Sequence, residues 1–170
     1  MSLKYTLLGF LNNEPMIGYR LKQNIDHSTQ LFWHAHLGQI YPLLKKMVQE
    51  GLIEVQVVPQ KGKPDKNYYF FTEAGRSELD EWLREHLDNP PQQKDSVLLK
   101  LFFSGGLDKV TLLKQLDRQL DAQQARLCMI QEDTAAYIQQ AVTQTGYTRE
   151  GMMWEKTRQF GEEHAKLYIH

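Results

Sequence analysis

A short amphipathic helix that runs through a glycine into a strand constrains this fold more than any other part of the chain. Four apolar residues recur at helical spacing and give the helix one face to bury: Ile40, Leu43, Leu44 and Met47. Gly51 ends the helix, and Ile53 opens an extended segment. The opposite face carries cations, amides and a phenol, on Gln39, Tyr41, Lys45, Lys46 and Gln49. Such a face can contact phosphates and base edges, so the pattern predicts a helix that enters a DNA major groove.

The residues around this helix predict a winged helix-turn-helix domain over residues 1–89. Apolar residues at helical spacing mark two preceding helices, the first by Leu3, Leu7, Phe10 and Leu11 and the second by Ile17, Leu21 and Ile25. Two alternating segments, 53–57 and 69–71, predict a two-stranded β wing whose long connection is cationic and rich in glycine and proline. A hairpin is marginal alone, so the three helices must cover its apolar face. Thr72 is expected to cap a fourth helix.

The second half predicts a helical, coiled-coil dimerisation domain over residues 94–170, after a proline-containing hinge at residues 90–93. One helix from about residue 108 to residue 143 carries apolar residues at alternating spacings of three and four, which is typical of a coiled-coil seam. The seam residues expected to contact a second copy are Leu113, Leu116, Leu120, Leu127, Ile130 and Tyr137.

The length of this helix argues for a second copy of the chain. At on the order of 50 Å, it is too long to be buried by one short neighbour. A final helix can lie antiparallel to it through Met153, Thr157, Phe160, His164 and Leu167. Apolar surface would remain, so a homodimer is the simplest arrangement, and a monomeric helical hairpin is the alternative. The predicted fold class is therefore mainly α with a small β wing.

The distribution of charge bears on whether the polar helix face binds a polyanion. The net charge is −1, whereas many dedicated DNA-binding proteins are strongly basic. Between residues 36 and 72, however, cations outnumber acids by five to three, and between residues 73 and 89 acids outnumber cations by six to two. Such separation orients a protein on a polyanion even when the total charge is near zero.

The composition predicts a folded protein of a reducing compartment. Apolar residues make up 41% of the chain and charged residues 24%, unlike a disordered segment. The single cysteine, Cys128, has no intrachain disulfide partner and is expected to be a buried small side chain. The longest apolar run near the start, residues 5–11, is too short to cross a bilayer, so we expect a cytoplasmic protein without a membrane partner.

Several short motifs lie in the first half of the chain. They are Gly18-Tyr19, Phe32-Trp33, the run 38–46, Gly51-Leu52-Ile53, Gly62-Lys63-Pro64 and the run 69–76. Together they resemble the PadR family of bacterial transcriptional regulators, and the long helical second half resembles its subgroup with a large dimerisation domain. The resemblance implies a dimeric repressor, which in some members leaves DNA when a small aromatic compound such as a phenolic acid binds. Lys63 stands where the family commonly has arginine, so a bidentate contact there becomes a point charge.

The predicted DNA-contacting residues form two groups. The helix contributes Gln39, Tyr41, Pro42, Lys45 and Lys46, and the wing contributes Lys61, Gly62, Lys63 and Lys66. A solvated helix face and a solubilising loop are the alternatives, but cations on both elements favour contact with double-stranded DNA as an inverted-repeat operator.

Other site classes find less support in the sequence. An aromatic effector between the two domains would be lined by Trp33, His34 and Trp154. No metal or other cofactor is expected, because His34 and His36 lack a third ligand nearby. Motifs for nucleophilic, phosphate-binding or zinc-dependent catalysis do not occur, so an enzyme is not expected. Winged helices also bind proteins, so an interaction adaptor without specific DNA binding is the alternative function.

Overall fold

The computed structural model describes residues 2–29, 35–62, 65–86, 88 and 94–169, and the chain divides into two compact units, Met1–Leu87 and Asp88–His170. The helices of the N-terminal unit are α1 (Ser2–Asn13), α2 (Gly18–Asn24), α3 (Leu37–Gln49) and α4 (Glu73–Arg84). Its strands are β1 (Met16–Ile17), β2 (Ile53–Val58) and β3 (Lys66–Phe71), and a π turn at Ile25–Thr29 extends α2. The predicted hinge at residues 90–93 lies outside the described residues.

The wing belongs to a three-stranded antiparallel sheet in the order β1-β3-β2. Strands β2 and β3 form the predicted hairpin, in which Ile53 pairs with Phe71. Strand β1 is an addition to the prediction, because two residues are too few to show an alternating pattern. Ile17, predicted within the second helix, instead pairs with Tyr68 and directly precedes α2. The start of α2 is therefore attached to the wing.

A single apolar core fixes α3 in the N-terminal unit. Its fully buried side chains come from α1, α2, the π turn, α3 and β2, and they include Leu7, Leu8, Leu21, Ile25, Ile40, Leu44, Met47 and Ile53. Burying one such side chain contributes roughly 1.5–3 kcal/mol. Because three of these residues belong to α3 at helical spacing, that helix is held along one face and its other face is left to solvent.

Thr72 and Gly75 fasten α4 to the turn between α3 and β2. The Thr72 hydroxyl oxygen lies 2.8 Å from the carbonyl oxygens of both Gly51 and Leu52, and it accepts a hydrogen bond from the Gly75 N–H at 3.1 Å. A Cβ atom at Gly75 would lie 2.2 Å from the Leu52 carbonyl oxygen. The predicted cap at Thr72 is confirmed, and the same residue also contacts the turn that leads into the wing.

The described part of the C-terminal unit consists of helices and the turns between them. These helices are α5 (Ser96–Phe102), α6 (Lys109–Met129), α7 (Ala135–Thr145) and α8 (Thr148–Lys166), with a short 3-10 turn at Ser104–Gly106. Asp95 and Asp108 cap α5 and α6, since their carboxylates accept hydrogen bonds from the N–H groups of Val97 and Thr111. Within the described residues, no helix has both the length and the apolar character needed to cross a membrane.

The predicted helix over residues 108–143 contains a π turn at Ile130–Thr134, between α6 and α7. One extra residue in a helical turn rotates the residues after it by about 100° relative to the expected stripe. The buried residues at and after the turn are Ile130, Thr134 and Ile138. The predicted seam had Tyr137 in place of Ile138. The predicted seam thus changes face at this turn. Ile130, expected to contact a second copy, is fully buried inside the protomer.

Helix α8 packs antiparallel to α6 and α7 through small residues. Gly151, Gly161 and Ala165 are buried, and a Cβ atom at Gly151 would lie 2.3 Å from Cγ2 of Val142. The predicted packing face is wrong: Met153, Phe160 and Leu167 are 58%, 68% and 77% exposed, Thr157 is exposed, and His164 is only half-buried. Small side chains allow the helix axes to approach, so they take the buried face and leave the larger side chains outside.

An ion-pair network connects α8 to the π turn. The Arg158 guanidinium lies 2.7 Å from Glu155 and 3.0 Å from Glu162, and Lys166 lies 2.9 Å from Glu162. The side-chain amide of Gln131 donates to Glu162 at 2.9 Å. Hydrogen bonds from Lys166, Gln131 and Arg158 hold the pKa of Glu162 at about 2. This carboxylate therefore stays ionised and keeps its contact with the π turn over most of the pH range.

A large part of the apolar surface of the C-terminal unit is exposed in one protomer. Neither α5 nor α6 contains a buried residue. Phe102 is 81% exposed and Phe103 73%, and the predicted dimer contacts Leu113 and Leu116 are both exposed. The remaining predicted contacts are half-buried, namely Leu120, Leu127 and Tyr137. Exposed apolar area of this extent is typical of a surface that a partner covers.

Cys128, expected to be buried, is exposed on α6, so that expectation is wrong. A hydrogen bond with Glu132 raises the pKa of its thiol, and the negative charges of Glu132 and Asp133 add to the rise. A raised pKa keeps the thiol protonated near neutral pH, which makes it a weak nucleophile.

Candidate nucleic-acid interface

Gln39, a predicted base-contacting residue, stabilises the start of its own helix. Its side-chain oxygen accepts a hydrogen bond from the His36 N–H at 3.0 Å, and the helix begins at Leu37. The acceptor of the amide is therefore occupied within the protein. Its two N–H donors remain to contact an acceptor outside, such as a base edge or a phosphate oxygen.

The polar face of α3 is exposed to solvent, whereas its apolar face is buried. Tyr41 is 46% exposed, and Gln39, Pro42, Lys45 and Lys46 are exposed as well. Lys46 lies 3.6 Å from the carboxylate of Glu50 in an exposed ion pair. Lys45 has no ion-pair partner among the residues that the structure describes. Of the two lysines, Lys45 thus presents the less neutralised charge.

The Tyr41 ring lies directly on the backbone of Gly18. A Cβ atom at Gly18 would be 2.6 Å from Cε1 of Tyr41, so a residue with a side chain would displace the ring. Burial raises the pKa of the nearby Tyr69 hydroxyl, and Tyr41 adds to the rise. Tyr69 therefore remains protonated near neutral pH. The contact explains Gly18 in the Gly-Tyr motif, and it leaves Tyr19 beside the site, 54% exposed and absent from the predicted set.

The wing brings further cations to the N-terminal unit. Lys61 and Lys66 are exposed, and Gly62 between them has a φ of +72°, which favours glycine. The Asp65 carboxylate accepts a hydrogen bond from the Gln60 N–H at 3.3 Å, so the two ends of the connection are joined. Lys63, the remaining predicted wing cation, lies outside the described residues. The spacing of residues in the sequence could not predict this hydrogen bond across the loop.

The predicted effector-lining residues are only partly within the described ranges. Trp154 is half-buried on α8, whereas Trp33 and His34 lie outside the described residues. Over the described ranges, no group of three or more His, Cys, Asp or Glu side chains is arranged to hold a metal ion. The lining of an effector site by these aromatic residues stays a prediction.

Comparison with known proteins assigns the family. Residues 7–81 match the transcriptional regulator PadR-like family. Residues 93–170 match a second family, described as the C-terminal region of virulence activator alpha. The chain is 35% identical over 129 residues to the negative transcriptional regulator PadR of Bacillus subtilis, which covers 76% of this chain and 71% of that protein. The chain belongs to the PadR-like family.

Two solved PadR structures resemble the whole chain. Bacillus subtilis PadR in complex with operator DNA has a TM-score of 0.81 and 28% identity, covering 99% of this chain and 94% of the other. The same protein in complex with p-coumaric acid has a TM-score of 0.72 and 27% identity, covering 98% and 89%. The PadR-like match extends from α1 into α4, so it includes both α3 and the wing.

Proposed function

We propose that this chain is a DNA-binding transcriptional repressor that acts as a homodimer in the cytoplasm. One observation carries the proposal: three α3 side chains are fully buried, and this fixes the opposite, cationic face of the helix towards solvent. The α3 helices of two copies would enter successive major grooves of an inverted repeat, with half-sites about 10 base pairs apart or a multiple of that. The operator complex of the Bacillus subtilis relative supports this arrangement.

Each element contributes a different kind of contact to the operator. On α3, Gln39 and Tyr41 offer donors to base edges or phosphates, Pro42 packs along the groove wall, and Lys45 and Lys46 bind phosphates. Lys61, Gly62, Lys63 and Lys66 of the wing contact the adjoining backbone or minor groove. Phosphate contacts give affinity and orientation, whereas base contacts select the sequence.

A small aromatic acid is the proposed signal that releases the operator. The complex of the Bacillus subtilis relative with p-coumaric acid supports this ligand class. A ligand shifts the protein away from DNA only if it binds the DNA-incompetent arrangement more tightly. The proposed activity is binding, without catalysis of a reaction.

Lysine substitutions on α3 test DNA binding directly. Fluorescence anisotropy with duplex DNA from the region upstream of the gene, measured at several salt concentrations, gives both the affinity and the salt slope. Lys45→Ala should reduce the slope by about one for the lost phosphate contact. Lys46→Ala should have a smaller effect, because Glu50 already offsets part of that charge. Lys114→Ala is the matched control, since this exposed lysine lies on α6 in the other unit.

The same titration distinguishes the alternative function. Binding that is absent, or insensitive to salt, would contradict the proposal and favour a winged-helix adaptor that contacts proteins. A slope that Lys45→Ala leaves unchanged would instead show that α3 does not approach the phosphates.

A further inference from the structure

The side-chain amide of Gln39 is held in one orientation by the backbone that precedes it. The His36 N–H donates to the amide oxygen at 3.0 Å, and the His36 carbonyl oxygen accepts from the N–H groups of Gln39 and Ile40 at 2.8 and 3.1 Å. Ile40 is fully buried, so the backbone next to Gln39 is anchored in the core. Turning the oxygen outwards would break this cap, which costs about 2- to 30-fold in an equilibrium constant. The amide nitrogen is therefore the atom that Gln39 presents to a ligand.

Base edges in the major groove differ in how well they suit a nitrogen donor. Guanine presents two acceptors there, O6 and N7, and the side-chain nitrogens of lysine and arginine contact both of them. Thymine presents one acceptor, and cytosine presents only a donor. Adenine has a donor beside its acceptor, so its usual glutamine contact needs the oxygen and the nitrogen of the amide together. A glutamine that offers its nitrogen alone therefore favours guanine.

Gly38 leaves a gap in the exposed face of α3. It shares that face with Tyr41, Pro42 and Lys45, which follow it by three, four and seven residues. A Cβ atom at Gly38 would have no neighbour within 4 Å among the residues that the structure describes, and its φ lies outside the left-handed region. Glycine weakens a helix relative to alanine, but it also allows a ligand to come close to the backbone. The gap therefore gives a base pair room to approach α3.

Pro42 does not account for the glycine. A proline in a helix crowds the carbonyl group four residues before it, which here belongs to Gly38, and leaves that carbonyl without its usual N–H donor. The carbonyl group is part of the backbone and would be the same in alanine. The crowding consequently does not select glycine, and a contact outside the protomer does.

We infer that Gln39 reads a guanine in each half of the operator through its amide nitrogen, and that Gly38 lets this base pair approach the α3 backbone. The inference rests on the proposed function, because it requires α3 to enter the major groove. Lys45 and Lys46 lie further along the same helix and bind phosphates, which adds affinity without selecting a base. In a homodimer each copy reads one guanine, so the two guanines lie on opposite strands of the inverted repeat.

Selection from duplexes with a random central segment tests the base choice, and it does not require the operator sequence. Gln39→Glu keeps an oxygen for the His36 N–H, because glutamate serves in the same cap, but it replaces the donors by an acceptor. At one position of each half-site the preference should change from guanine to cytosine, whose amino group donates. Duplexes that differ only at this base pair should differ in affinity by about 5- to 150-fold, in opposite directions for the two proteins.

Another glutamine provides the control for the added negative charge. Gln23 is exposed on α2, so Gln23→Glu makes the same chemical change in the same unit without altering α3. Its selected duplexes should show the same base preferences as those of the unaltered protein.

Gly38→Ala tests the close approach separately. The added methyl group should weaken binding to the selected duplex by about 5-fold or more, because it overpacks the contact. The midpoint of thermal unfolding should stay the same or rise, since alanine favours a helix. Gly9→Ala is the matched control, because a Cβ atom at Gly9 in α1 also has no neighbour within 4 Å among the described residues. This control should leave the affinity for DNA unchanged.

Other results would overturn the inference and leave the proposed function intact. An adenine preference that Gln39→Glu removes would mean that Gln39 leaves its cap and uses both amide atoms. Identical base preferences for Gln39→Glu and the unaltered protein would mean that Gln39 reads no base. A Gly38→Ala protein with a lower unfolding midpoint would assign the glycine to the stability of α3. If no duplex binds the unaltered protein at all, the proposed function itself is contradicted.

Discussion

Two positions in the N-terminal unit require glycine because neighbouring atoms occupy the space of a Cβ atom. Gly18 receives the Tyr41 ring, and Gly75 receives the Leu52 carbonyl oxygen at a distance that excludes a Cβ atom. The first contact positions the Tyr41 side chain on the exposed face of α3, and the second joins α4 to the turn that leads into the wing. In both cases the requirement arises from a residue far away in the sequence, not from the local backbone.

A Gly75→Ala substitution should destabilise the protein. The new Cβ atom would meet the Leu52 carbonyl oxygen, and relieving such overpacking costs about 1–3 kcal/mol. Chemical denaturation at a fixed protein concentration measures the change. Gly9→Ala is the matched control, because a Cβ atom at Gly9 in α1 would have no neighbouring atom within 4 Å, and alanine there should be neutral or slightly stabilising. Equal effects of the two substitutions would contradict a steric role for Gly75.

Periodicity alone predicted the exposed face of α3, because burial of Ile40, Leu44 and Met47 leaves only one face for solvent. The same reasoning could not predict that Gln39 bonds back to the His36 N–H or that Lys46 pairs with Glu50. Those contacts depend on side-chain conformation, which residue spacing does not determine. The sequence pattern therefore identified the solvent-exposed polar surface of α3 but not which of its hydrogen-bonding groups are free.

At the scale of elements, the order of the helices and of the two hairpin strands followed from the sequence, but the two-residue strand β1 and the packing of α8 did not. A large apolar residue such as Phe160 is normally predicted to be buried. The buried face of α8 consists instead of Gly151, Gly161 and Ala165. A small residue buries little area itself but allows a neighbouring helix to approach. The π turn before α7 also adds a residue to the helical repeat, which a strict pattern of threes and fours cannot represent.

Acid should weaken the attachment of α8 to the π turn through Glu162. Its pKa is lowered from 4.5 to about 2, so its ionised contacts stabilise the fold fully above pH 4.5 and are lost as the pH falls towards 2. Glu162→Gln should lower the free energy of unfolding by about 1 kcal/mol at pH 7, as for a solvent-screened ion pair. The difference from the unaltered protein should shrink on acidification.

Denaturation curves across this pH range provide the measurement, and the neighbouring residue provides the control. The Glu163 side chain is 73% exposed and pairs with Lys166, one residue of its own helix, whereas Glu162 also contacts Arg158 and Gln131. Glu163→Gln should therefore have a smaller effect at pH 7. A difference between Glu162→Gln and the unaltered protein that persists at pH 2 would mean that the carboxylate's charge is not the stabilising feature.

At the scale of the whole molecule, the exposed apolar side chains of the C-terminal unit set the requirement for a partner. They occur on α5, on the first half of α6 and on the outer face of α8. A PadR-like regulator that reads an inverted repeat needs two copies related by a two-fold axis. One interface can meet both needs, because two copies that pack together through these exposed apolar side chains bury them and also form the two-fold dimer.

Phe160→Glu should therefore dissociate the homodimer. The Phe160 side chain is 68% exposed in the protomer, on the α8 face that does not pack within it. In a two-fold interface each substitution occurs twice, so a loss of about 2 kcal/mol per copy becomes about 4 kcal/mol per dimer. Sedimentation equilibrium should show a monomer at concentrations where Gln140→Glu, an exposed control on α7, remains dimeric. Operator affinity should fall in parallel, because one copy reads only half of the repeat. A Phe160→Glu protein that remains dimeric would place the subunit contact on the exposed faces of α5 and α6 instead.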